Sequence, residues 1–178
     1  MQFVSAELAR QHLAKVADAG CGDKTIEKSC LTWPVALIAP EELWRVKHIA
    51  FARKLLKLLP AHDGVLLIDE WGIWPSSEDR TVVVALKQFW GHASKVENEN
   101  EYSVIFQSAD ISSIATYLSV ILDFGWGGLL RFDALNWFKF SHDGWAHLRS
   151  KESEPEVADL LDGFGLKFKW VREESALR

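Results

Sequence analysis

Apolar positions recur along the chain at two spacings, and their order sets the fold class. Ser5 is placed to cap a first helix reaching about Ala17, with Leu8, Leu13 and Val16 inward. A loop from Gly20 to Ser29 follows and carries both cysteines. Pro40 stands where a first helical position would fall, and Glu41 and Glu42 occupy the first turn. Trp44, His48, Phe51, Leu55 and Leu58 then come at steps of three and four, so the pattern predicts one long helix over 41–59, closed by Pro60. Its other side shows Arg45, Lys47, Arg53, Lys54 and Lys57, read as a solvated face.

Val65 to Ile68 is a continuous apolar run whose length and branching fit a strand buried on both faces. A turn-rich loop over 71–77 leads to a helix capped by Ser76 or Ser77, with Val82, Leu86, Phe89 and Trp90 as its stripe. The polar run from Glu97 to Glu101 is a solvated loop before a second strand over 103–107. Ser108 or Asp110 starts a helix carrying Ile111, Ile114, Leu118, Ile121 and Leu122, and Gly125 is placed to end it in the left-handed conformation. Strands over 128–132 and 136–140, joined near Asp133, precede a short helix around Trp145 to Leu148. A charged linker over 151–156 leads to a helical turn. The final segment, 166–171, alternates apolar with lysine as an edge strand does.

This order predicts a single α+β domain over 1–178: a mostly antiparallel sheet of about five strands covered by helices, with 1–40 a peripheral helix and loop. The 178 residues are 48% apolar and 25% charged, enough to hold a core without a disulfide or metal staple. A net charge of −5 argues against a phosphate-binding protein, so no nucleic-acid partner is expected. Cys21 and Cys30 read as reduced thiols of a cytoplasmic protein, and no apolar run has the length of a signal peptide or membrane span.

Asp69 and Glu70 follow a buried strand, where open sheets commonly place ligands. Combined with Asp123, Asp133 or His142 they would give a carboxylate-centred, hydrolase-like pocket; alternatively, either acid caps the following loop. Asp123-Phe124-Gly125 spells a kinase metal motif, but the glycine-rich loop and catalytic loop that accompany it are missing, so it reads as a helix end. No phosphate-cradling or nucleophile-elbow motif occurs. His142 and His147 are five apart, off the step that sets two ligands on one helical face, and His48 reads as a hydrogen-bonded core residue. No metal and no cofactor are expected.

Tryptophan is the compositional outlier, with nine in the chain. Six fall between Gly64 and Ala146, where eleven carboxylates face five basic groups, so indoles and negative charge coincide. Indoles are enriched at binding hot spots. The run from Leu67 through Trp71 and Trp74 to Pro75, the helix ending Leu122 to Trp126, and the segment Phe138 to Trp145 resemble small bacterial α+β proteins found beside secreted toxins, the immunity proteins. The likeness spans 64–146 and implies a non-enzymatic protein that covers a toxin's active site. The expected function is that of a cytoplasmic inhibitor or immunity protein, meeting a basic partner protein through Asp69, Glu70, Trp71, Trp74, Glu78 and Asp79. A carboxylate enzyme, or a carbohydrate-binding module with Trp71 and Trp74 as its platform, stands as the alternative.

Overall fold

The structure, a computed structural model, describes residues 1–20, 34–59, 63–70, 85 and 102–172. Along the chain run β1 (Gln2–Ser5), α1 (Ala6–Gly20), β2 (Pro34–Ile38) and a 3-10 turn (Glu42–Arg45). Then come α2 (His48–Leu58), β3 (Gly64–Glu70), β4 (Tyr102–Phe106), a second 3-10 turn (Ser108–Asp110) and α3 (Ile111–Asp123). The chain closes with β5 (Gly127–Arg131), β6 (Trp137–Phe140), β7 (Ala146–Arg149), α4 (Glu154–Asp162) and β8 (Phe168–Arg172). The strands make one sheet in the order β1-β4-β3-β5-β6-β7-β2-β8, with every neighbouring pair antiparallel.

The α+β class and antiparallel sheet are as predicted, but the described sheet has eight strands rather than about five. The additional strands are β1, β2 and β7. Residues 34–38, assigned by their sequence to a peripheral N-terminal piece, form an interior strand between β7 and β8. Residues 145–148, predicted as a short helix, belong instead to a hairpin: Ala146 pairs with Phe140 and Leu148 with Phe138. Ala146 and Leu148 are buried while His147 is half-buried, a period of two too short to tell from a helical turn without its partner strands.

The predicted helix over 41–59 is also broken. Glu41 adopts φ 65°, Val46 and Lys47 are extended, and α2 begins only at His48. The backbone of this turn bonds sideways rather than along a helix: Glu41 N–H donates to Asp143 O at 3.0 Å and Leu43 N–H to Gly144 O at 3.3 Å. Tertiary partners thus outcompete the local helical bonds.

Alternation divides the sheet's side chains between two faces. One face sends Leu66, Leu130, Phe138, Phe140 and Leu148 into the main core with Phe51 and Leu55 of α2, Leu118 and Ile121 of α3, and Val157 and Leu161 of α4. The opposite face meets α1, whose Ala9 and Leu13 pack on Val65 and Leu67, with Ile105 and Leu129 at the margin. Val65 to Ile68 are all buried, as the unbroken apolar run predicted. Gly125 has φ 63° and ends α3, its N–H donating to Leu122 O and that of Trp126 to Ile121 O. The charged linker supplies the first turn of α4, where Ser153 and Glu156 form a capping box. No helix of the described residues is long and apolar enough to cross a membrane.

Candidate recognition surface

Of the residues singled out from the sequence, Asp69 and Glu70 end β3, with Glu70 opposite Gly127 of β5. Trp71, Trp74, Glu78 and Asp79 lie outside the described residues, as do the helix predicted after Ser76 or Ser77, apart from residue 85, the polar run at 97–101 and the loop carrying Cys21 and Cys30.

The carboxylates proposed to join Asp69 or Glu70 are each engaged in a different place. Asp123, at the C-terminus of α3, pairs with Nδ1 of His48. The other ring nitrogen, Nε2, donates to Leu43 O at 2.8 Å, so His48 ties α2, α3 and the 3-10 turn together as a hydrogen-bonded residue. Asp133 accepts from the backbone N–H groups of Leu135 and Asn136 at 2.7 and 2.9 Å and organises the β5–β6 turn, at the opposite end of β5 from Glu70. His142 Nε2 lies 3.3 Å from the Asp143 carboxylate in the β6–β7 turn. Asp133 thus lies away from Asp69 and Glu70, while Asp123 and His142 are engaged with His48 and Asp143. Among the described residues there is no cluster of three or more metal-ligating side chains. A cleft of about 120 Å³ opens between Pro34, Ser150, Val157 and Trp170, bordered by Glu152 and Glu154, and holds none of the predicted site residues.

The tryptophans divide by environment. Trp126 is 1% exposed and packs against Phe124. Trp137, Trp145 and Trp170 are half-buried. Trp44, predicted on the inward stripe of a helix, is instead 49% exposed, because the 3-10 turn rotates it off that stripe.

The turn that carries Trp44 is held from both sides. Glu41 is the one non-glycine residue with positive φ among those described, a conformation that costs a side-chain-bearing residue roughly 1–2 kcal/mol. It faces Gly144, which has φ 74°. A Cβ on Gly144 would stand 2.8 Å from Glu41 Cα and 3.2 Å from the Trp44 ring, so only glycine allows the two turns to approach. Glu42, 4% exposed, anchors the turn from below: it accepts from Arg45 at 3.2 Å and from the Lys167 backbone N–H at 3.3 Å. Glu41 and Asp143 remain exposed at the rim. β2 and β3 both end here, so Asp69 and Glu70 emerge at the same end of the sheet as Glu41. Neither the hydropathy nor any motif revealed this arrangement. The adjacency of Gly144 and Glu41 is a contact between residues about a hundred positions apart.

A second aromatic group lies on the sheet face that α1 covers only in part. Lys139 of β6 pairs with His147 of β7, His147 with Leu37 of β2, and Leu37 with Lys169 of β8, placing all four in one row. Trp145 lies beside His147 at 4.9 Å between ring centroids, with the ring planes tilted by 40°, and Lys139 Nζ lies 5.9 Å from the Trp145 ring. Partial burial, and then the Lys139 charge, lower the pKa of His147 below the ordinary imidazole value.

With this geometry in hand, comparison of the chain with protein-family models, with curated proteins and with solved structures finds no match. The class rests on the architecture itself: an α+β protein with an antiparallel sheet flanked by helices on both faces.

Proposed function

We propose that the protein is a non-enzymatic interaction protein of the inhibitor or immunity type, which binds a basic partner protein at the sheet end carrying Trp44. The observation that supports this reading is the half-exposed indole of Trp44 on a turn fixed by Glu41, Gly144 and the buried Glu42. A large ring held in place before binding loses little conformational freedom on contact, which is the property of an anchoring residue. Glu41 and Asp143 are exposed on the two turns that meet beside the ring, while Arg45 and Lys167 both pair with Glu42. Asp69 and Glu70 leave the sheet at the same end, and Trp71, Trp74, Glu78 and Asp79 follow them in sequence. Anionic groups around an indole suit a cationic partner, speeding encounter while the ring slows release.

The test is calorimetric titration of the full chain with a basic toxin domain that it protects against on co-expression. Trp44→Ala is expected to weaken binding by about 30-fold, the effect of losing an anchor worth roughly 2 kcal/mol. Glu41→Lys is expected to slow association. Unchanged affinity in Trp44→Ala, Trp74→Ala and Glu78→Lys alike would remove this end of the sheet from the proposal.

A further inference from the structure

The row formed by Lys139, His147, Leu37 and Lys169 lies on a different surface from Trp44 and does not depend on the reading above. α1 packs against β1, β3 and β4 on this face, and among the described residues its hydrophobic cluster extends to Leu129 of β5. Beyond Leu129, Lys139 and Lys169 are exposed, while Trp137, Trp145, His147 and Leu37 are half-buried. Lower on the same face Val35 and Arg149 are buried, which confines the open area to the upper row and its neighbouring rings.

Three features of this area point the same way. The rings of Trp145 and His147 are in contact, and Trp137 adds an indole from the adjoining row of β6. The two lysines bracket the row three strand spacings apart, about 14 Å at the usual interstrand distance. The strand residues that face this way from β6, β7, β2 and β8 include no carboxylate. Asp143 in the adjoining turn is the nearest acid in sequence to Trp145, and it lies against His142. Interleaved rings and cations on an open antiparallel sheet match the chemistry of single-stranded nucleic acid: unpaired bases stack on the rings while the phosphates meet the lysines. An acidic peptide would satisfy the lysines but make less use of the two adjoining rings.

We infer that this open sheet face binds single-stranded nucleic acid, with Trp145 and His147 as the stacking platform and Lys139 and Lys169 as the phosphate contacts. The whole-chain charge of −5 does not oppose this, because a charged row acts locally: interactions between exposed charges are largely screened beyond about 8 Å at physiological ionic strength.

The experiment is fluorescence anisotropy of labelled oligo(U) and oligo(dT), each about 12 nucleotides long, titrated with the full chain at about 0.15 M salt and then across a salt series. Binding in the micromolar range with quenching of tryptophan emission is expected. Trp145→Ala should weaken it about ten-fold and Trp145→Phe much less, since phenyl retains a stacking surface. Lys139→Glu should weaken it by a similar factor and flatten the salt dependence, whereas Lys57→Glu on α2 should leave it unchanged. Far-ultraviolet circular dichroism confirms that each variant is folded. No anisotropy change up to about 100 µM protein overturns the inference. It is also overturned if polyglutamate displaces the probe as well as unlabelled oligonucleotide does and Trp145→Ala binds like the parent, which would identify an acidic polypeptide as the occupant.

Discussion

The two faces of the sheet are made from the same strands, often from adjacent residues, yet they differ in composition. In β6, Trp137 and Lys139 look one way and Phe138 and Phe140 the other; in β7, His147 opposes Ala146 and Leu148. The first face is half open and charged. The second is sealed under three helices, with Phe138 and Phe140 stacked at 5.3 Å and Phe51 of α2 tilted against Phe138 at 5.7 Å. In β6 burial is therefore concentrated on one side of the strand, while Trp137 and Lys139 on the other keep contact with solvent. A one-residue slip of register would exchange the two sets and expose the core.

The largest effect that would test this division is in the core. Phe138→Ala should cost about 3–5 kcal/mol, because a fully buried ring leaves a cavity that α2 cannot collapse into. Trp137→Ala, one residue away, should cost about 1–2 kcal/mol since its side chain is already partly in water. Urea denaturation of the two variants checks the contrast, and equal losses would break it.

Gly128 gives the next test. It faces the sealed side, where an added Cβ would meet Leu67 O at 2.4 Å and the Phe140 ring at 3.1 Å. Gly128→Ala should destabilise by about 2 kcal/mol through overpacking against backbone that has no room to move. Lys139→Ala on the open face should stay within about 0.5 kcal/mol. The same denaturation curves decide it.

The smallest effect concerns titration. His147 has a lowered pKa in the folded state, chiefly from partial burial and then from Lys139. The unfolded chain thus binds the proton more readily than the folded one. The contribution of this group to stability is complete above the ordinary imidazole value of about 6.5 and declines as pH falls from there through the folded-state pKa. Lys139→Ala should raise the His147 pKa part of the way to its ordinary value, leaving the burial effect in place. Titration of the imidazole resonances by NMR measures this, and an unmoved midpoint would show that the two side chains do not share a field.

Much of the architecture was legible along the chain because it follows from local periodicity. The unbroken run over 65–68, the helix ended by Gly125 and the lysine-alternating edge strand all appear in the structure. The segments misread, 41–47 and 145–148, share one property: their backbone is bonded to distant residues. Glu41 is satisfied by Asp143, and Ala146 lies opposite Phe140 and Ile38. For the same reason Trp44, placed on an inward stripe by its spacing from His48 and Phe51, faces solvent in the fold.

The sequence by itself determined the α+β class, the buried central strand and the helix stops, since these depend on side-chain spacing and on the intrinsic freedom of glycine. The tertiary structure alone decided which indoles meet water and which charges share a row. Both depend on strand order: β2 enters the sheet between β7 and β8, bringing Leu37 and Lys169 alongside His147. Such neighbours are far apart in the chain, and no local pattern encodes their meeting.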